Sequence, residues 1–242
     1  MSKNAELSRK DMKGPDQFQA AAGEAAGWLT GHRRQTVLVV GAAVVALLAA
    51  GLVMSLRERR AHEAGVALSA VYKAAGADVS AVPLPGAAGP SYASQADRQK
   101  AVVEAGARAM AAYGSTLPGA LAALADGDAH YKLGEWDAAA TGYQAYLAAA
   151  PRDDAFRFGA LEGLALVDEA KGNTDAALAA YARLAAEVPS QADRADLARA
   201  RILAAAGKKD EARKLLATFS EVHKGSPLAG EAAERLAQLG GK

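Results

Sequence analysis

Apolar and polar residues alternate differently in the two halves of the chain. Residues 36–56 form a run of 21 residues without a charged side chain, whereas beyond residue 91 small and apolar residues recur every three or four positions. The run is long enough to cross the hydrocarbon core of a bilayer, which needs about 20 residues. The later pattern is typical of amphipathic helices. The sequence therefore predicts an all-α protein with one transmembrane helix near its N-terminus.

Basic residues flank the apolar run on both sides. Arg33 and Arg34 precede it, and Arg57, Arg59 and Arg60 follow it. A buried helix of a soluble protein is the alternative, but such a helix does not need so long an uncharged run. A cleaved signal peptide is disfavoured, because 35 residues precede the run and it exceeds the apolar core of about 7 to 15 residues of a signal. We expect a membrane span over residues 36–56.

The segments on either side of the span have distinct patterns. Residues 1–35 are predicted to form a tail with an amphipathic stretch, in which Phe18, Ala22, Ala25 and Leu29 share one helical face. Trp28 lies beside them, where aromatic side chains meet lipid headgroups. Residues 57–90 are predicted to form a helical stalk followed by a Pro/Gly linker or ordered loop, since three prolines between residues 82 and 90 cannot continue a helix.

A short motif, Gly-x-x-Asp-x-Ala, occurs three times in the second half. Its glycines, Gly134, Gly172 and Gly207, are 38 and 35 residues apart, close to the period of about 34 residues in helix-turn-helix repeats. Each copy fits a hairpin corner, where glycine ends one helix in the left-handed conformation, aspartate caps the next, and alanine lets two helices approach. We predict a repeat domain over residues 91–242, with repeats at 120–153, 158–191 and 193–226 and a capping helix at 227–239.

Other residues recur at fixed distances from these corners. The residues that define the repeats are Gly127, Gly134, Ala139, Tyr143, Pro151, Gly172, Ala177, Tyr181, Pro189, Gly207 and Ala212. They resemble the consensus of the tetratricopeptide repeat, best in the first unit, whereas the third unit departs from it with Ala200 and Leu216. The resemblance implies a helix-turn-helix solenoid, which is an architecture that binds proteins.

The distribution of basic residues gives conflicting indications of membrane orientation. Within about 20 residues of the span, two Lys or Arg lie on the N-terminal side and four on the C-terminal side, which favours a cytoplasmic C-terminus. However, long domains translocate largely regardless of charge. The short tail carries six basic residues, which favours its retention in the cytoplasm. We predict a cytoplasmic N-terminus and a repeat domain on the other side.

The layout of tail, single span, helical stalk and small repeat body resembles the ancillary subunit of the bacterial SecYEG translocon. The resemblance covers most of the chain from Gln17 and rests on layout and generic repeat motifs. It implies a bacterial inner-membrane protein whose periplasmic repeat domain mediates protein–protein interactions, linking the Sec translocon to periplasmic chaperones. The alternative is a structural scaffold component of an envelope division or secretion complex. In that role the span assembles the complex, and Ala42, Ala46 and Ala50 on one face permit homo-association.

The tetratricopeptide resemblance also implies a peptide-binding groove, lined by the inner face of the first helix of each repeat. Carrying those positions over gives the candidate groove residues Leu121, Leu124, Asp128, Tyr131, Glu162, Leu166, Glu169, Arg194, Leu197 and Arg201. An apolar strip with mixed charge suits a helical or extended peptide. The alternative, of equal weight, is that the leucines pack inside a closed curl.

Composition disfavours several classes of function. The chain has 28 Lys and Arg against 27 Asp and Glu, and this balance gives no support to nucleic-acid binding. It has no cysteine, which excludes disulfides and thiolate metal sites. None of its four histidines is followed by a second ligand four residues later in the chain. We therefore expect no catalytic residues, no metal and no cofactor, and we expect protein partners rather than a substrate.

Overall fold

The computed structural model describes residues 23, 27–28, 31–80 and 89–240. Contacts divide the chain into two units, Met1–Glu58 and Arg59–Lys242. Apart from a pair of two-residue strands, the regular structure of the described residues is helical, which confirms the all-α prediction. The amphipathic positions predicted at Phe18, Ala22, Ala25 and Leu29, and most of the Pro/Gly loop, lie outside the described residues.

The longest helix, α1 (Arg33–Ala75), contains the predicted span. Its large apolar side chains between residues 37 and 56 are exposed, with Leu38 at 72% and Leu47 at 73% of their full accessibility. Among the described residues, α1 is the helix that is long and apolar enough to cross a membrane. Its exposed apolar side chains are compatible with a lipid environment, in which they would be buried.

The second unit begins within α1. Ala64, Val71 and Ala74 are buried, and the last two belong to one apolar cluster with Val102 and Ala105. The packing therefore starts the body at Arg59, whereas the sequence analysis started it at residue 91. Residues 59–75 form a helix of the body rather than a separate stalk.

A small parallel sheet joins α1 to the helices that follow. Strand β1 (Asp78–Val79) pairs with β2 (Ser91–Tyr92), with Asp78 opposite Ser91 and Val79 opposite Tyr92. The Ser80 N–H donates to the Tyr92 carbonyl at 2.9 Å, and Arg98 donates to the Ala77 carbonyl at 3.2 Å. These bonds hold together the two ends of the proline-containing loop.

Consecutive helices pack against each other through the rest of the body. They are α2 (Gln95–Tyr113), α3 (Leu117–Leu133), α4 (Trp136–Ala149), α5 (Arg157–Ala170), α6 (Thr174–Glu187), α7 (Ala192–Ala205), α8 (Lys209–Ala217), α9 (Phe219–Val222) and α10 (Ala229–Gly240). A 3₁₀ turn, Pro189–Gln191, precedes α7. The principal contacts are between neighbours in sequence, and the core divides into clusters that follow the order of the chain.

The corner glycines adopt the predicted backbone conformation. Gly134, Gly172 and Gly207 have φ angles of 78°, 75° and 79°. An L-residue rarely adopts this left-handed region, and glycine adopts it without a steric penalty. Gly225, outside the repeated motif, also has a φ of 79°. The prediction of glycine-ended helices at the three motifs is confirmed.

The predicted role of the motif aspartates as helix caps is wrong. Each aspartate is the second residue of its helix, and the cap positions are held by Glu135, Asn173 and Lys208, whose side chains make no capping bond. The reason is that two residues between glycine and aspartate place the cap one residue after the glycine. The aspartates instead lie in the first helical turn, where negative charge is favoured by the helix dipole. They form ion pairs, Asp137 with Lys171 at 2.6 Å, Asp175 with Lys208 at 3.2 Å, and Asp210 with Arg213 at 2.6 Å.

Small residues allow close packing of helices, as predicted. Ala139 is fully buried, and a Cβ added at Gly127 would lie only 2.9 Å from the Tyr143 ring. The sequence analysis did not identify Gly142, where an added Cβ would lie 2.7 Å from the Gly127 nitrogen. Helices α3 and α4 therefore touch backbone to backbone at Gly127 and Gly142.

Candidate interaction surface

The ten candidate groove residues lie on three helices. They are Leu121, Leu124, Asp128 and Tyr131 on α3, Glu162, Leu166 and Glu169 on α5, and Arg194, Leu197 and Arg201 on α7. Within each helix they are spaced by three, four or seven residues, which places them on one face. We call this set the candidate groove.

The apolar members of the candidate groove differ in burial. Leu121, Leu124 and Tyr131 are half-buried and pack against the core cluster that contains Tyr143, and Leu166 is half-buried as well. Leu197, in contrast, is only 6% exposed and belongs to the core cluster around Phe219. The structure therefore assigns Leu197 to the core and leaves the α3 and α5 residues partly open to solvent.

Two ion pairs connect the candidate groove residues of α5 and α7. Arg194 Nε lies 2.8 Å from Glu162 Oε1, and Arg201 lies 2.7 Å from Glu169 Oε2. The two arginines are roughly half exposed, whereas the carboxylates are 19% exposed. Partly exposed ion pairs contribute little to stability, at most about 1 kcal/mol each. These charges are therefore arranged as pairs along the surface between two helices.

Buried tyrosines orient two carboxylates of the candidate groove. The Tyr143 hydroxyl donates to Asp128 Oδ1 at 2.9 Å, and the Tyr181 hydroxyl donates to Glu169 Oε1 at 2.8 Å. Burial and the adjacent carboxylates raise the pKa of both tyrosines well above the ordinary value of 10.0. Both therefore remain hydrogen-bond donors across the physiological pH range. Tyr143 and Tyr181, identified as repeat residues, thus also support the surface.

Helix α10 contributes surface residues that the sequence analysis missed. A cavity of about 410 Å³ lies between α7, α8 and α10, and its polar lining includes Arg201, Glu231, Glu234, Arg235 and Gln238. The four α10 residues recur at intervals of three and four, and this polar periodicity was visible in the sequence. The sequence predicts α10 only as a capping helix, without these surface residues.

Tyr72 of α1 interacts electrostatically with one residue of the candidate groove. Its side chain is 50% exposed, and partial burial together with the charge of Asp128 raises its pKa. The interaction places Tyr72 in the vicinity of Asp128 on α3. The helical periodicity of the segment after the span predicted a helix there, but it could not indicate which residues face α3.

The part of the chain that the structure describes shows no candidate metal site. There, no group of three or more His, Asp or Glu side chains is placed to hold a metal ion. His130 contacts Glu135 at 2.6 Å, and His223 contacts Asp196 at 2.9 Å. The candidate groove itself is a surface of paired charges and half-buried apolar side chains. No family model matches the chain, and no curated protein matches it in sequence.

Proposed function

We propose that this protein is a membrane-anchored adaptor whose helical body mediates protein–protein interactions through a tetratricopeptide-like surface. The observation that carries the proposal is the composition of α1. The same helix contains the exposed apolar run of residues 36–56 and the buried body residues Ala64, Val71 and Ala74. An apolar helix of this kind anchors a protein in a bilayer, and its continuation into the core ties the body to that anchor.

Three features support the assignment of tetratricopeptide-like repeats. The left-handed corner glycines recur with a period close to that of these repeats, and the alanine of each corner is buried. Ion pairs connect the aspartate of one corner to a lysine beside the glycine of the next corner, Asp137 to Lys171 and Asp175 to Lys208. In such an array, the candidate groove would be the surface that receives a helical or extended peptide.

The proposed location and partners follow from the layout of the chain. We place the protein in the bacterial inner membrane, with the basic tail in the cytoplasm and the body in the periplasm. Its partners there would be the Sec translocon and periplasmic chaperones. The basic tail and the single apolar helix support this orientation, and the resemblance to the ancillary translocon subunit supports these partners.

An exchange of charges between Glu162 and Arg194 tests whether the candidate groove recognises partners. The double variant Glu162→Arg/Arg194→Glu retains an ion pair between α5 and α7 but reverses the charge presented at each position. The full-length protein, reconstituted in lipid nanodiscs, would be titrated with purified SecYEG. We expect the variant to bind at least about tenfold more weakly, as when charges in a recognition surface are reversed, with an unchanged melting temperature.

The matched control exchanges a pair at the helix corners. Asp137→Lys/Lys171→Asp reverses an ion pair of 2.6 Å outside the candidate groove, and we expect unchanged binding. If the original protein does not bind SecYEG, the proposed partner is wrong, and affinity purification from detergent-solubilised membranes would identify the actual one. If it binds and the Glu162/Arg194 exchange has no effect, recognition does not use these charges.

A scaffold role is the second candidate function, because the groove charges of α5 and α7 are already paired with each other. In this role, Glu162–Arg194 and Glu169–Arg201 only hold neighbouring helices together, and assembly depends on the span. Replacing Ala46 by leucine, which adds bulk to the small-residue face, should then reduce crosslinking between copies of the chain. The adaptor role predicts unchanged crosslinking and reduced partner binding by the groove variant.

A further inference from the structure

Helix α1 begins with two positively charged arginines. Arg33 and Arg34 are exposed, and the sequence contains no Asp or Glu between Glu24 and Glu58. Neither arginine forms an ion pair with any residue that the structure describes. A guanidinium remains protonated at physiological pH and presents several N–H donors in one plane. This end of α1 therefore offers two cationic, planar donor groups that form no ion pair with the described residues.

A cleft at the same end combines these charges with apolar side chains. Its volume is about 430 Å³, and it is lined by Arg33, Arg34, Val37 and Leu38. The first residues of the uncharged run thus lie directly beside the guanidinium groups. A phospholipid has the same succession of chemistry, from a phosphodiester to glycerol esters and acyl chains.

An aromatic pair precedes the arginines in the chain. The rings of Trp28 and His32 are stacked, with centroids 4.8 Å apart and an angle of 22° between their planes. Trp28 is 59% exposed, and the Trp28 carbonyl oxygen lies 3.1 Å from His32 Nδ1. Tryptophan is enriched at the level of lipid headgroups, because its ring is apolar and its N–H is polar. Stacking on His32, the residue before Arg33, orders the indole just before the start of α1.

We infer that Trp28, His32, Arg33 and Arg34, with Val37 and Leu38 below them, bind the headgroup of an anionic phospholipid. The guanidinium groups bind the phosphodiester oxygens, for which planar paired donors are suited. Trp28 packs beside the glycerol region. A zwitterionic lipid brings its own cation close to two positive charges, so charge complementarity selects a lipid with net negative charge, such as phosphatidylglycerol. The inference rests on the proposed membrane anchoring by α1.

The other end of the apolar run differs in its charge environment and provides a matched control. Arg57 and Arg59 flank Glu58, and Glu63 lies one helical turn beyond Arg59. Acidic residues at these distances offset the local positive charge. Replacing Arg57 and Arg59 removes the same number of charges as replacing Arg33 and Arg34, but we expect no loss of lipid selectivity near Trp28.

Fluorescence quenching of Trp28 tests the inference. The chain contains two tryptophans, so Trp136→Phe leaves Trp28 as the only reporter. The full-length variant would be placed in vesicles that contain brominated phosphatidylglycerol or brominated phosphatidylcholine, which quench nearby tryptophan. An arginine near an anionic surface contributes a preference of roughly fivefold. We expect selective quenching by the anionic lipid, loss of the selectivity in Arg33→Gln/Arg34→Gln, and its retention in Arg57→Gln/Arg59→Gln.

Each other result overturns a specific statement. Equal quenching by both lipids, or selectivity that survives Arg33→Gln/Arg34→Gln, overturns the headgroup site. Selectivity abolished by inorganic phosphate, but not by chloride at equal ionic strength, assigns the site to free phosphate and overturns the lipid assignment. Quenching by neither lipid places Trp28 outside the bilayer and overturns the headgroup site, whereas membrane anchoring by residues 36–56 is tested separately by the labelling of Ala46→Cys. If Trp136→Phe unfolds the body, the same ratios follow from the original chain after subtraction of the Trp28→Phe signal.

Discussion

Replacement of Gly142 by alanine should destabilise the contact between α3 and α4. An added Cβ would lie 2.7 Å from the Gly127 nitrogen, 2.8 Å from the Gly127 Cα and 2.9 Å from the Ala123 carbonyl oxygen. All three atoms belong to the backbone, so no rotation of a side chain relieves the overlap. The helices must separate, and the contacts of the cluster around Tyr143 must loosen with them.

The change in the free energy of unfolding caused by Gly142→Ala is the balance of two opposing effects. Alanine is favoured over glycine inside a helix by about 1 kcal/mol. Overpacking of a tight core costs about 1 to 3 kcal/mol, and a backbone-to-backbone overlap belongs at the upper end of that range. The free energy of unfolding should therefore fall by about 2 kcal/mol. For a body of this size, about 2 to 4 °C is lost per kcal/mol, so the melting temperature should fall by roughly 4 to 8 °C.

The assay is thermal unfolding of the full-length protein in detergent, followed by the fluorescence of Trp136 in a Trp28→Phe background. Trp136 is half-buried at the start of α4 and its ring lies 5.1 Å from Tyr131 of α3, so its emission reports on this helix pair. Gly159→Ala is the matched control, because no atom lies within 4 Å of its added Cβ. We expect it to be neutral or to stabilise by up to about 1 kcal/mol. A Gly142→Ala protein that melts at or above the original temperature would refute the close backbone contact.

Two further substitutions test backbone conformation and buried charge. Gly134→Val should lower stability by about 1 to 3 kcal/mol, because residue 134 has a φ of 78°. Gly134→Asn should cost less, since asparagine tolerates this backbone region. Equal losses of stability in thermal melts would contradict a conformational origin. Asp126 is 5% exposed, and its burial raises its pKa above the ordinary aspartate value of 3.8. As pH rises above 3.8, the Asp126 carboxyl therefore lowers the stability of the folded protein. Asp126→Asn should therefore gain in melting temperature relative to the original protein between pH 4 and pH 7, and a difference that does not change with pH would argue against this buried carboxylate.

Local features of the fold were predictable because they depend on short segments. A glycine at the end of a helix commonly adopts the left-handed conformation through local hydrogen bonds, so Gly134, Gly172 and Gly207 could be identified from the motif. Gly114, which lacks the motif, ends α2 with a φ of −55°. The buried alanines at a fixed distance from the three corner glycines could be predicted from the motif in the same way. The position of the aspartates was misjudged by two residues, because the motif does not show which residue begins the helix.

Features that depend on how distant segments pack against each other were not predictable. The Glu162–Arg194 pair joins residues 32 positions apart, and its formation depends on how α5 and α7 are aligned. The same applies to Gly142, whose importance is apparent only when α4 crosses Gly127. Packing of residues 59–75 into the body was also missed, because the proline-containing loop suggested a boundary near residue 90. For the candidate groove, the sequence indicated which residues share a helix face, but it did not indicate which charged residues form ion pairs with each other.

The most direct test of the account is the accessibility of single cysteines, which is simple in a chain without native cysteine. Ala46→Cys lies within the apolar run and Ser115→Cys lies in the exposed turn before α3. Both would be exposed to a membrane-impermeant maleimide in intact bacterial spheroplasts. We predict that Ser115→Cys is labelled at once, whereas Ala46→Cys is labelled only after solubilisation and unfolding. Labelling of Ala46→Cys in intact spheroplasts would contradict the membrane span, and labelling of Ser115→Cys only after lysis would reverse the orientation.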